Sequence, residues 1–279
     1  MRVWAGAIAM LLVPALLGAQ GWNNRAPWGP GQHLRSTGGT LRDPFKIFDN
    51  VYYVGLHNVS SYLVTTSAGL VLIDATNPET ADAVMDSVRK AGFDPANIKY
   101  ILVTHSHLDH LGGAIKIQRV TGARVGMSAE DWDESEGVLK RDLLLKDNGT
   151  LTVGDTTFKF YVTPGHTPGA TSIEFQVRDR GKSYRALEPG GLGLSFGPEW
   201  TPVFLKSMER LKKLGPWDVI FGNHPFLMPK DLEYEIKKEL ATRGNGPHPA
   251  VVGPVKIDEW FDAILKVVNE KLASEGGAR

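Results

Sequence analysis

The chain has 279 residues, 31 acidic and 31 basic side chains, no formal net charge and 42% hydrophobic residues. Balanced charge supplies no field to draw it to nucleic acid or an anionic membrane, and the apolar fraction is that of a folded domain, not a disordered chain. Cysteine is absent, which excludes disulfides, zinc–thiolate sites and a cysteine nucleophile. Any bound metal must rest on His, Asp and Glu.

Met1-Arg2 precede an apolar stretch from Val3 to Leu17, and Gly18 and Ala19 follow. One charge, a short apolar core and small residues near its end predict a secretory signal peptide over residues 1–20. The apolar run is short for a membrane span, which needs about twenty residues. The expected mature protein is periplasmic or secreted, without a stable membrane anchor. Residues 21–50 are rich in Gly, Pro and Asn and read as an extended arm, and residues 51–279 form the remaining domain.

From Val51 the pattern turns to strands. Val51–Val54, Ser61–Val64 and Leu70–Ile73 are β-branched and aromatic runs separated by turn residues, as in an antiparallel meander. Asp74 follows at a strand end. Pro78 to Ala91 has helical spacing, Ile98–Val103 is the next strand, and His110 to Val120 reads as a helix with Gly112-Gly113 in its first turn. A short strand at Arg124–Met127 precedes a charged segment from Glu130 to Leu145. Strands resume at Thr157–Val162, Thr171–Val177 and Ser183–Leu187, with Asp179-Arg-Gly181 as a hairpin turn. A helix over Glu199–Leu214, a strand over Asp218–Phe221 and helices over Asp231–Thr242 and Asp258–Ala273 complete the chain. Two batches of strands with alternating helices predict an α/β fold in four layers, an αββα sandwich with loops at one edge free to build a site.

The most informative segment is Thr104-His-Ser-His-Leu-Asp-His110, directly after the apolar Ile98–Val103 run. Three imidazoles and a carboxylate at the end of a buried strand would be costly to bury unpaired. Together they form a nitrogen- and oxygen-rich cage suited to zinc. Two further histidines share the context of a strand end flanked by Gly and Pro: His166 in Thr163-Pro-Gly-His-Thr-Pro-Gly169, and His224 in Phe221-Gly-Asn-His-Pro225. The prolines stiffen such loops and leave the imidazole little entropy to lose. His33, His57 and His248 lack that context.

These motifs, in this order, resemble the metallo-β-lactamase superfamily over about Val51 to Pro225. The signature His-x-His-x-Asp-His is met by His105, His107, Asp109 and His110, the Thr-Pro-Gly-His-Thr motif carries His166, and His224 matches the last ligand. The resemblance implies the metallo-β-lactamase sandwich and two Zn2+ per chain. The first would rest on His105, His107 and His166 and the second on Asp109, His110 and His224, with a water or hydroxide between them. Three imidazoles leave one position of a tetrahedral zinc open, and two adjacent metals bring hydroxide within reach of neutral pH. Asp109 is the residue expected to hold this nucleophile, and Asp74 to support the ligand loop from behind.

Many dinuclear hydrolases of the superfamily place a metal-bridging Asp some twenty residues after the Thr-Pro-Gly-His motif. Here the corresponding strand ends in Glu188-Pro-Gly-Gly191, and Glu188 is the only carboxylate there to substitute. Lack of that Asp, a histidine at position 105 and no cysteine are similar to the third subclass of metallo-β-lactamases. The implied activity is hydrolysis of the β-lactam ring of antibiotics by a monomeric, exported resistance enzyme acting on a small-molecule substrate. The chain departs from the subclass after the strand, where serines would meet the antibiotic's carboxylate. Only Ser195 is available for that part, and Asn223, beside His224, is a second candidate substrate contact. The alternative is a lactonase or other ester or amide hydrolase using the same zincs, with an apolar pocket around Trp132, Phe196 and Trp200.

Overall fold

The computed structural model describes residues 42–276. The expected signal peptide and most of the expected arm, including Trp22, Trp28 and His33, lie outside the described residues. Strands β1 (Phe45–Phe48), β2 (Val51–Tyr53), β3 (Tyr62–Thr66), β4 (Gly69–Ile73), β5 (Ile98–Leu102), β6 (Arg124–Met127) and β7 (Leu143–Leu144) form one seven-stranded sheet in that order. Strands β8 (Thr150–Val153), β9 (Thr156–Val162), β10 (Thr171–Asp179), β11 (Lys182–Glu188) and β12 (Val219–Ile220) form a second, in the order β12-β11-β10-β9-β8. The first sheet is antiparallel from β1 to β4 and parallel from β4 to β7. In the second, only the β11–β12 pair is parallel.

Alternation along the strands explains the layers, because successive side chains point to opposite faces. Tyr62, Val64, Val71 and Ile73 enter a core shared with Phe158, Phe160, Ile173, Phe175 and Val177 of the other sheet. The intervening Leu63, Leu70 and Leu72 pack instead with Val84, Met85, Val88 and Ile117. Those residues belong to α1 (Ala81–Lys90) and α3 (Ala114–Thr121), which cover the first sheet. Tyr161 and Leu187 of the second sheet face outward to Phe204, Met208, Trp260 and Phe261, carried by α5 (Thr201–Leu214) and α7 (Pro254–Gly276). The layers therefore run helix, sheet, sheet, helix, as the sequence pattern predicts. Strands buried on both faces read as continuous apolar runs.

β4 and β5 run parallel, and β9 and β11, each antiparallel to β10, run parallel to each other and to β12. The carboxyl ends of β4 and β5 in one sheet, and of β9, β11 and β12 in the other, each lead into a candidate site segment. A backbone bond from Thr171 N to Thr104 O (2.7 Å) ties the sheets together beside it.

Four details differ from the sequence reading. Residues 42–50 belong to the domain and not to an arm, since β1 pairs with β2. The helix expected from His110 is broken into a single turn, α2 (Leu108–Leu111), and α3. Gly112 and Gly113 lie between them because a Cβ at Gly113 would sit 2.0 Å from Ala75 O, and one at Gly112 2.3 Å from Pro78 Cδ. The helix expected over Asp231–Thr242 is a π-helical turn at Leu232–Lys237 followed by a short α6 (Lys238–Thr242). The charged segment after Glu130 contains α4 (Ala129–Glu134), whose Trp132 is buried in the helix-side core and donates its Nε1–H to Leu143 O at 2.9 Å. The Arg180-Gly181 hairpin is as expected, with φ of 51° and 79° at its two central residues.

Phe175 lies at the centre of the inter-sheet core, stacked on Phe221 at 5.6 Å and against Phe158 at 5.7 Å. Phe175→Ala should cost about 3–5 kcal/mol in urea unfolding, and Phe175→Leu clearly less. Equal, small losses for both would show that the sheets do not depend on this contact.

Candidate metal centre

Asp74 ends β4 with φ at 58°, a left-handed conformation that Asp tolerates better than most residues. Its carboxylate lies beneath the loop that follows β5. Oδ1 accepts from Thr104 N–H at 2.7 Å, and Oδ2 from Thr104 Oγ1–H and His110 Nδ1–H, both at 2.8 Å. The loop then turns into α2, with His107 as its N-cap residue and Asp109 and His110 within the turn.

The six expected ligands come together in two groups. One ligand atom each from His105, His107 and His166 lie within 4.8 Å of one another, and the same holds for Asp109, His110 and His224. Ring centroids in the first group are 4.8, 4.7 and 4.7 Å apart. His105 and His110, at 4.1 Å, join the two groups. Asp109 Oδ2 stands 3.6 Å from His110 Nε2 and 4.0 Å from His224 Nε2.

The outer hydrogen bonds fix the tautomers. His166 Nδ1–H donates to Gly193 O at 2.7 Å and His224 Nδ1–H to Asn58 O at 2.6 Å, and both partners can only accept. Thr104 spends its hydroxyl proton on Asp74, so its oxygen accepts from His105 Nδ1–H at 3.0 Å. In all four rings, counting His110, Nε2 is left as a lone pair facing the centre, as a metal ligand requires. His105 Nε2 and His110 Nε2 are buried with no hydrogen-bond partner. Such orphaned acceptors are costly in a folded interior, and a cation at each group satisfies them. The donor set of neutral imidazole and carboxylate fits zinc.

Electrostatics favour the neutral ring at four of the five histidines. Burial, reinforced by the neighbouring imidazoles, holds His105 and His107 well below the usual histidine range and takes His166 down to about 4. Burial also lowers His224. For His110, burial is outweighed by the Asp109 and Asp74 carboxylates, and its pKa is raised. Burial works against ionised Asp109, yet His110, His224 and His107 hold its pKa down to about 2.

Two features were missed in the sequence. Asp131, in α4, is fully buried and joins the two ligand loops. It accepts from Ser106 N–H at 2.9 Å on one side, and from Thr167 Oγ1–H at 2.9 Å and Gly169 N–H at 2.7 Å on the other. Its only local signal was a helix start at Ser128-x-x-Asp131, which caps α4. The second feature is the Gly190-Gly-Leu-Gly193 loop, whose Gly191 and Gly193 pack on the His166 ring. A Cβ at Gly191 would meet His166 Cδ2 at 2.6 Å, and one at Gly193 would meet Cε1 at 2.9 Å.

Ser195 and Asn223 are in neither ligand group. Ser195 is half-buried at the end of the glycine loop. Asn223 is 1% exposed with both side-chain polar atoms unpartnered. Glu188 also stays outside both groups. It is enclosed, both oxygens lack partners, and burial together with the Asp74 carboxylate pushes its pKa well above the usual range. His248 stacks on Phe48 at 3.8 Å and bonds to Ile47 O at 2.7 Å, in a structural role.

Asp131→Ala should weaken zinc binding roughly 10–100-fold, the usual cost of removing a group that orients ligands. A pH trend provides an independent check. Burial pushes the Asp131 carboxyl up to about 7 from an ordinary 3.8, against the pull of its three donors. The folded metal-free protein thus holds this proton where the unfolded chain has lost it. Its contribution to stability is present below about pH 4 and declines as the pH rises to about 7. Urea unfolding should show wild type losing stability relative to Asp131→Asn as the pH rises from about 4 to about 7; a relative gain over that window would refute it.

Residues 54–180 match the family model described as the metallo-beta-lactamase superfamily. A beta-lactamase-like protein 2 homolog of Caenorhabditis elegans is 26% identical over 198 residues, covering 66% of this chain and 64% of that protein. A hydroxyacylglutathione hydrolase of Ectopseudomonas mendocina is 32% identical over 129 residues, covering 46% and 48%. The chain thus spans between about half and just under two thirds of these curated relatives. Among solved structures, BJP-1 of Bradyrhizobium japonicum, a subclass B3 metallo-beta-lactamase, superposes with a TM-score of 0.75 at 27% identity, covering 86% of this chain and 97% of that one. In sequence over residues 54–180, and in architecture across most of its length, this is a chain of the metallo-β-lactamase fold whose structural neighbours include subclass B3 enzymes.

Proposed function

We propose that the chain is a dinuclear zinc hydrolase that opens the β-lactam ring of antibiotics. The observation that carries this reading is the pair of adjoining three-ligand groups, His105–His107–His166 and Asp109–His110–His224, each with its ligand atoms turned inward. Bound zinc would supply Lewis-acid polarisation of the amide carbonyl and an acidified water. The protein's part is to hold and orient. Each group offers three ligands and leaves room for a water or substrate atom. Asp109, ionised at neutral pH, presents Oδ2 between His110 and His224 and can accept a hydrogen bond from the attacking water. The Asp74 carboxylate keeps His110 in its tautomer, and Gly193 O and Asn58 O do so for His166 and His224. The subclass B3 neighbour supports the choice of a β-lactam as substrate. Export to the periplasm, and with it a role in antibiotic resistance, rests on the apolar N-terminal segment.

A second reading has its own support. The match to a hydroxyacylglutathione hydrolase favours a thioester or another ester, cleaved with the same ligands. Metal analysis and turnover separate the two. The protein should bind about two zinc equivalents, and His224→Ala about one. Zinc-loaded protein should hydrolyse a penicillin, a cephalosporin or a carbapenem, and a chelator should abolish this. Chelator-sensitive cleavage of a hydroxyacylglutathione thioester, with no β-lactam turned over, would sink the first reading and establish the second.

A further inference from the structure

Large apolar side chains are exposed at Val120, Leu144, Phe226 and Val255 among the described residues. Val120 lies near the end of α3, Leu144 on the short edge strand β7 and Val255 in the first turn of α7. Phe226 is different. It is two residues from His224 and stacks on that ring, with centroids 5.5 Å apart and planes 28° from parallel, while remaining 42% exposed.

The exposure is not that of a loose loop tip. Pro225–Leu227 is a tight turn closed by Leu227 N–H donating to His224 O at 3.0 Å. Leu227 and Met228 are buried below it, and Tyr62 OH reaches Met228 Sδ at 3.8 Å. A Cβ at Gly222 would lie 2.8 Å from His224 O and 2.9 Å from Met228 Cγ, so the turn is seated firmly on the chain beneath. The backbone thus presents the Phe226 ring on a stiff base at the rim. His224 and Asp109 have side chains 23% and 18% exposed, whereas that of His110 is fully enclosed, so the Asp109–His110–His224 group is reached from the His224 and Asp109 side.

A large aromatic left in water forgoes the stabilisation that its burial would bring. When such a ring borders a concave site with converging polar groups, a ligand can complete its burial. Resting on the metallohydrolase reading, we infer that Phe226 is a specificity residue: it forms a platform for an aromatic or flat apolar arm of the substrate, on the side of the Asp109–His110–His224 group. The substrate class is then an acyl compound carrying such an arm, not a small aliphatic one. The glycine loop on the His166 side presents backbone there, and among the described residues the rings packed on His166 are those of His105 and His107.

The test uses the full zinc-loaded chain and two thiol probes that share a thiolate and a carboxylate. One is 2-mercaptoacetate and the other racemic 2-mercapto-3-phenylpropanoate, which adds a benzyl arm. Binding is measured by calorimetry for wild type, Phe226→Ala and Phe226→Trp, with zinc content determined for each. Phe226→Ala should weaken the benzyl thiol about tenfold, the scale of a lost aromatic contact, while changing mercaptoacetate by less than about twofold and leaving zinc content intact. Phe226→Trp should restore the benzyl preference. Equal weakening of both thiols with lowered zinc content would mean that Phe226 only shields His224, and would overturn the inference. So would unchanged binding of both. If neither thiol binds wild type, the metallohydrolase reading itself fails, and the role of Phe226 with it.

Discussion

The Asp74 carboxylate is the contact on which the rest of the site depends. It sits at the end of one strand, accepts from the backbone and hydroxyl of Thr104 at the end of the next, and orients His110. Through Thr104 the same network reaches His105. One buried acceptor thus sets the rotation of a ligand in each metal group, and does so from the rigid edge of a sheet and not from a free loop. Its left-handed backbone is the local cost of placing that acceptor there. Asp131 does for the junction between the two ligand loops what Asp74 does within one of them.

This arrangement opposes the stability of the bare protein. Several imidazoles are drawn out of water into contact with one another, and the Nε2 atoms of His105 and His110 lose their solvent partners. Three apolar layers carry that cost, with the inter-sheet core holding Phe158, Phe175 and Phe221 together behind the ligand-bearing edge. Bound metal would return much of it, because a cation that binds only the folded state is linked to folding. Fold and site are therefore coupled in both directions: the sandwich preassembles the ligands, and the ligands leave it short of its full stability until they are occupied.

The ligands were legible in the sequence because they are clustered, chemically unusual and placed beside runs of buried strand. Asp74 was legible for the same reason, as a lone carboxylate after Leu70–Ile73. The hairpin at Arg180-Gly181 was legible because its two-residue turn demands particular backbone angles. Asp131 was not, since its partners are two backbone N–H groups and a threonine far away in sequence, and the helix start at Ser128 marks its backbone but not the role of its carboxylate. The burial of Trp132 in the helix-side core was not legible, because an aromatic in a charged segment gives no period by which to tell core from rim. The break at Gly112-Gly113 was hidden because its cause is tertiary: the approach of Ala75 and Pro78, not any preference of the glycines for a turn. β1 was lost to its short length beside a proline.

The substrate follows a different logic from the metal chemistry. Ligand geometry of this kind serves attack on several types of acyl carbon, so it selects a reaction and leaves the compound open. Selection falls to the rim, and the rim here is asymmetric. Over His166 it is made of Gly191 and Gly193, packed so closely that any side chain at Gly191 would collide with the imidazole. That face can offer carbonyls and N–H groups but no long side chain, which is why the serines expected to grip a carboxylate have no counterpart beyond Ser195. Beside His224 the rim carries an aromatic ring on a rigid turn. On the hydrolase reading proposed above, the ligand groups would select the reaction, and the flat apolar ring beside His224 would select the compound.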